Sequence, residues 1–126
     1  MKIDQRTYIR RIPVGNVYTA LGPDYEKVGK LIDLSRGGLA FEYISNENKE
    51  TVLTRVNIFK VGEVFNLHNL PCKVVYDTPI PPARDGIQSL KYSHNRRCGI
   101  QFDMLPKEDR VQLAMFIESH TKSKLY

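Results

Sequence analysis

Short segments rich in β-forming residues, each bounded by a turn signal, limit most strongly what this chain can fold into. Such segments occupy residues 14–21, 25–34, 39–44, 62–68, 72–77 and 96–103. The breaks between them carry residues that favour turns, as in Gly22-Pro23-Asp24, Arg36-Gly37-Gly38 and Asn69-Leu70-Pro71. Strands of this length and spacing predict about six strands that pair antiparallel in a barrel or a sandwich.

Two stretches of the chain fit this pattern poorly. Residues 51–61 are rich in β-branched side chains but can also hold a short irregular turn, so the sequence leaves them unassigned. Residues 78–90 contain Pro79, Pro81 and Pro82. Proline has no backbone N–H to donate, so we expect an extended loop there, between two paired strands.

The last part of the chain has the spacing of a helix. Pro106 suits a first helical turn, and acidic residues follow it where they complement the helix dipole. Leu113, Phe116 and Ile117 then recur on one face. We expect a helix over about residues 106–121 that packs on the β core. The fold class predicted from the residues is therefore all-β with a C-terminal helix.

Composition places the chain among ordinary globular domains. It has 126 residues, 41% of them hydrophobic, which is enough for one domain with a core. No run approaches the ~20 apolar residues of a membrane helix, and the first residues lack the apolar segment of a secretory signal. A cytoplasmic location is therefore expected, with Cys72 and Cys98 as reduced, buried thiols. His68, His94 and His120 are scattered, which argues against a metal site.

Motifs of the common enzyme classes are absent from the sequence. It has no Walker-type phosphate loop, no nucleophile elbow and no His-Glu-x-x-His. Ser35 has no histidine near it in sequence, and the acidic residues form no distinctive pair. We therefore expect a binding protein that has no catalytic residues.

Two short motifs suggest what is bound. Arg6 and Arg10 are four residues apart, with Arg11 beside them, and guanidinium groups bond phosphates and stack on bases. They lie in what we interpret as a flexible basic arm, residues 1–12, before a single domain over residues 13–126. Further along, Asp33 can accept hydrogen bonds from one edge of a guanine, and Ser35 can donate or accept. Each motif alone also fits a plainer role, as a solvated tail or as local turn bonding.

Taken together, the two motifs resemble those of the PilZ domain family, bacterial receptors for cyclic di-GMP. Residues 6–10 look like the family's Arg-x-x-x-Arg, and residues 33–38 look like its Asp/Asn-x-Ser-x-x-Gly, ending at Gly38. Residues 97–102 are similar to its late strand, which precedes a terminal helix. The resemblance implies a six-stranded antiparallel split β-barrel that binds cyclic di-GMP, uses no cofactor and signals to a downstream protein partner.

The resemblance also implies roles for individual residues. Arg6 and Arg10 would hold the phosphates and stack on guanine, with Arg11 as a possible substitute for Arg10. Asp33 and Ser35 would bond guanine and the nearby phosphate, and Gly38 would permit close approach. Three further arginines would add positive charge to the same surface: Arg36, Arg96 and Arg97. Gln5 stands where an extra arginine accompanies an intercalated ligand dimer, which favours one ligand per domain.

Two other functions remain open at the level of sequence. One is a PilZ-like adaptor that binds proteins without ligand, although the complete motifs argue against it. The other is a small basic barrel that binds single-stranded nucleic acid, where aromatic and basic residues would alternate on exposed strands. The net charge of +5 is modest and spread along the chain, and the tyrosines form no compact cluster, so nucleic acid is the less favoured partner.

Overall fold

The computed structural model describes residues 8–45, 53–81 and 95–123. These contain eight strands and one helix, α1. The elements are β1 (Arg11–Pro13), β2 (Val17–Leu21), β3 (Lys27–Leu34), β4 (Gly38–Ile44), β5 (Leu53–Lys60), β6 (Leu67–Pro79), β7 (Asn95–Phe102), α1 (Lys107–His120) and β8 (Thr121–Ser123). Strand β1 starts at Arg11, so two residues that the sequence assigns to the arm are part of the sheet.

Six of the strands close into an antiparallel barrel. Their order is β2, β5, β6, β7, β4 and β3, and the pairing of β2 with β3 closes the ring. The predicted six-stranded barrel is therefore confirmed, and the alternative of a sandwich is excluded. Strands β1 and β8 are short additions, joined to β3 where Arg11 pairs with Leu34.

The core fills the barrel and extends under the helix. Inward-facing side chains of the strands are almost fully buried, with Phe41 on β4 and Cys98 on β7 completely so. Leu113, Phe116 and Ile117 of α1 join the same cluster. The sequence-based expectation that this helix packs on a β core is confirmed.

The expected strand over residues 62–68 is wrong for most of its length. Gly62 takes a positive φ of 87°, and Val64 is 98% exposed. Asn66 stabilises the connection between β5 and β6, because its Oδ1 accepts a hydrogen bond from the backbone N–H of Lys60 at 3.0 Å. Alternating apolar residues suggested a strand, but the turn chemistry of Gly62 and Asn66 decides the local structure.

The turn expected at residues 69–71 is also wrong, because β6 runs through it. Asn69 takes a positive φ of 55° inside the strand and forms part of a bulge. Its backbone N–H donates to Oδ1 of Asn57 on β5 at 3.0 Å, so the pairing continues past the irregularity. Bulges of this kind bend a strand, as closure of a small barrel requires.

The two uncertain stretches are resolved in part. Within residues 51–61, β5 occupies the positions from Leu53 to Lys60. The loop expected from residue 78 begins later, because β6 continues through Pro79. Residues 82–94, which include Pro82 and His94, lie outside the described part of the chain.

An ionic cluster closes one end of the barrel, where β3 and β7 begin and β4 and β6 end. Asp77 accepts hydrogen bonds from Lys27 Nζ at 2.8 Å, from the Tyr43 hydroxyl at 2.6 Å and from Arg96 Nε at 2.8 Å. Burial alone would raise the pKa of Asp77, but these three hydrogen bonds outweigh it and lower the pKa. The carboxylate therefore stabilises the fold above the unfolded-state pKa of about 3.9, and that contribution is lost as the pH falls through the lower folded-state value.

The cysteines are free and buried, as the sequence predicts. Burial raises the pKa of Cys72 and of Cys98 to about 12. Among residues 8–45, 53–81 and 95–123, no group of histidine, cysteine and acidic side chains could hold a metal ion. The same residues include no helix that is long and apolar enough to cross a membrane.

Candidate ligand-binding cleft

A cleft of about 400 Å³ lies on the outer face of the barrel, beside the turn between β3 and β4. Its walls come from the segment before β1, the β3–β4 turn and strands β4, β6 and β7. The lining residues are Tyr8, Arg10, Ser35, Gly37, Gly38, Leu39, Val75, Tyr76, Gly99, Ile100 and Gln101. The cleft is thus formed where both sequence motifs meet the late strand.

Strand register places one row of residues across this face. Asp33 pairs with Ala40, Ala40 with Gly99, and Gly99 with Tyr76. Paired residues lie on the same face of a sheet, so an acid and an aromatic ring are separated only by two small residues. A Cβ at Gly99 would lie 2.1 Å from a ring carbon of Tyr76, which shows that the ring covers this glycine.

The turn between β3 and β4 is held by Ser35. Its hydroxyl accepts hydrogen bonds from the backbone N–H groups of Gly37 at 3.1 Å and of Gly38 at 3.3 Å. Ser35 therefore makes the local turn hydrogen bonds that its sequence context allows. The hydroxyl also lies at the wall of the cleft.

The close approach of β4 to β7 requires glycine at position 38. A Cβ there would lie 2.1 Å from the backbone carbonyl oxygen of Ile100 on β7. Any larger residue would force β4 and β7 apart. Close pairing of two strands, independent of any ligand, is enough to require glycine at this position.

Arg10 and Arg11 point to different neighbours. The Nη1 atom of Arg10 lies 3.8 Å from Oδ2 of Asp33, whose side chain is almost fully buried. Arg11 instead donates from Nε to Oγ1 of Thr121 at 2.8 Å, so it links β1 to β8. The structure brings Arg10 together with Asp33 and Ser35, and it places Arg11 elsewhere. Arg6 lies outside the described residues.

The additional arginines of β7 are held by acidic partners. Arg97 donates from Nε to Glu42 Oε2 at 3.0 Å, on the outer face but outside the wall of the cleft. Arg96 faces the opposite way and donates to Asp77. Of the two, Arg97 lies closer to the site, because it is two residues from Gly99 on the same face.

Two aromatic residues at the cleft were not predicted from sequence. Tyr76 forms one wall and Tyr8 the other, and the ring of Tyr8 packs on Gly37, where a Cβ would lie 3.0 Å from it. The sequence shows both as isolated tyrosines. Register could have indicated Tyr76, but the pairing of β6 with β7 shifts between Val74 and Tyr76, which the sequence does not reveal.

A sequence model of the PilZ domain matches residues 4–119, which is most of the chain and includes both motifs. The chain belongs to the PilZ domain family. Among curated proteins, no sequence matches it.

Solved structures share the PilZ fold of this chain at low sequence identity. A crystal structure of YcgR in complex with c-di-GMP from Escherichia coli has 17% identity and a TM-score of 0.63 over 93% of this chain and 46% of that chain. The PilZ domain of YcgR from Escherichia coli with c-di-GMP has 16% identity and a TM-score of 0.65, covering 92% and 91% of the two chains.

The Inhibitor of motility of Bacillus subtilis, MotI/DgrA, is also similar, with 16% identity and a TM-score of 0.63 over 94% of this chain and 52% of that chain. This PilZ domain thus spans about half the length of YcgR and of MotI/DgrA.

Proposed function

We propose that this PilZ domain is a non-catalytic receptor that binds cyclic di-GMP in the cleft beside the β3–β4 turn. Membership of the family supports this, and the two YcgR structures of similar fold contain c-di-GMP. A volume of about 400 Å³ also falls within the range of about 300–1,000 Å³ usual for small-molecule sites.

The observation that carries the proposal is the convergence of Arg10, Ser35 and Tyr76 on one cleft, with Asp33 next to Arg10. In the bound state, Arg10 bonds a phosphate and Asp33 accepts from the N–H groups of a guanine. Tyr76 supplies a flat ring on which a base stacks. Arg6 is the second arginine of the motif, and we assign it to the other phosphate.

The proposed relay is an ordering of the segment that precedes β1. Arg10 already lies beside Asp33 on the barrel, so the two phosphates of the ligand draw Arg6 to it, and a partner protein in the cytoplasm then binds the new surface. Ordering costs about 1–2 kcal/mol per residue of backbone. Charge-assisted hydrogen bonds of about 1.5–3 kcal/mol each can offset that for a short segment.

Calorimetric titration with cyclic di-GMP tests the proposed ligand, with GTP and an oligonucleotide as alternatives. Arg10→Ala and Asp33→Ala should each weaken binding by about 10- to 150-fold, the loss expected for one charged hydrogen bond. Arg55→Ala is the matched control, because Arg55 is exposed on β5, away from the cleft. Affinity should fall with added salt.

Absence of heat with the dinucleotide at high micromolar protein would contradict the proposal. So would unchanged affinity in both cleft variants. Tighter binding of the oligonucleotide than of the dinucleotide would favour the nucleic-acid function instead.

A further inference from the structure

A second depression runs along α1, on the other side of Tyr8 from the cleft. Two hollows, of about 550 and 470 Å³, share Tyr8, Arg36 and Ala114, so they form one groove between the helix and the β3–β4 turn. We call this the helix groove. On its helix side lie Lys107, Arg110, Val111, Leu113, Ala114, Ile117 and Glu118. These positions follow the spacing of a single helical face.

One half of the helix groove is positively charged. Arg36, Lys107 and Arg110 line it, and no acidic side chain of the described residues does so. The first turn of α1 also lies here. Its acidic residues, Glu108 and Asp109, offset the partial positive charge of the helix dipole but do not line the groove, so the positive charge of this half comes from the three cationic side chains. Glu118 lies at the far end of the groove, so the positive potential is concentrated near Lys107.

Between these charges the groove is apolar. Val111 is 49% exposed, and it shares the groove with Ala114 and the ring of Tyr8. A small anion would use the cations but leave this surface uncovered. A segment with carboxylates and apolar side chains in alternation would match both features.

We propose that the helix groove binds an acidic, apolar-containing segment of a partner protein. The role of the helix groove in passing on a signal rests on the proposed function, because the signal is the binding of cyclic di-GMP to the cleft. Tyr8 connects the two surfaces, since its ring packs on Gly37 and lines both the cleft and the helix groove. A ligand that repositions the segment before β1 therefore changes one wall of the groove.

The test uses the full chain and a short fluorescein-labelled peptide of glutamate and leucine in helical repeat, followed by fluorescence anisotropy. Lys107→Glu and Arg110→Glu should each weaken binding by at least about 10-fold, as expected for close charge pairs. The control Arg55→Glu makes the same change of charge on β5 and should leave binding unchanged. Lys107→Glu also guards against misfolding, because an acid at the first turn favours the helix.

Three results would overturn the proposal. One is equal binding of a peptide with glutamine in place of every glutamate. Another is wild-type affinity in both helix variants. The third is that Lys107→Glu no longer binds cyclic di-GMP, or no longer binds a second dinucleotide. That result would show that the groove binds the nucleotide. Peptide binding that persists in a chain showing no dinucleotide binding would support the groove and refute only the proposed function.

Discussion

Replacing Gly99 by alanine should damage the cleft more than the fold. The added Cβ would lie 2.1 Å from a ring carbon of Tyr76, whereas ordinary contact begins near 3.4 Å, so the ring must retreat by about 1.3 Å. Tyr76 is 36% exposed and can swing outward. The overpacking cost should therefore be about 1 kcal/mol, or a fall in Tm of about 4 °C.

The effect on the ligand should be larger, because the displaced ring no longer presents its face to a base. Loss of one stacking contact, about 1–3 kcal/mol, corresponds to a rise in Kd of about 5- to 150-fold. Calorimetry with cyclic di-GMP and a thermal melt measure the two effects separately. Tyr76→Ala should weaken binding similarly without the clash, and Tyr76→Phe should preserve it.

If Gly99→Ala binds cyclic di-GMP with wild-type affinity, the proposal that Tyr76 stacks on a base of the ligand is refuted. A fall in Tm as large as that of Gly38→Ala would refute the argument about packing, because the Cβ at Gly38 meets a backbone carbonyl that cannot swing away.

Three further predictions follow from the fold. Asp77→Asn should lower the free energy of unfolding by about 3 kcal/mol, because the substitution leaves Lys27 buried beside a neutral amide. In urea melts the variant should also lose less stability below about pH 4 than the wild type, because it has no carboxylate at this position to protonate. Cys72 and Cys98 should resist a thiol reagent at pH 8 until the chain is denatured, since burial raises the pKa of each to about 12. Gly38→Ala should cost about 3 kcal/mol in denaturant melts, whereas alanine in place of an unhindered strand glycine should stabilise by about 0.5–1 kcal/mol.

Much of the barrel was predictable because its strands alternate between an apolar and a polar face. The late strand shows this best: Cys98, Ile100 and Phe102 stand at every second position of the sequence, and all three are buried. The same rule failed at residues 62–68, where side chains alternate but the backbone turns at Gly62. Periodicity reports which side chains are apolar, whereas the local φ of a few residues decides whether a strand exists.

The sequence predicted local geometry of the candidate cleft best where its residues are adjacent along the chain. The motif from Asp33 to Gly38 forms one turn, so its members meet by local geometry. Spacing in the sequence favoured Arg10 but left Arg11 as a possible substitute, and their separation in the structure depends on how β1 pairs with β8. Tyr76 reaches the cleft only because β6 shifts register beside β7.

The sequence by itself determined an all-β chain with a terminal helix and the chemistry of its two motifs, because both depend on spacing over a few residues. Tertiary structure alone decided which arginine meets Asp33, which tyrosine covers Gly99, and that the cationic residues of α1 share a groove with Arg36. Those relations join residues far apart along the chain. They depend on barrel closure and strand register, which no local pattern encodes.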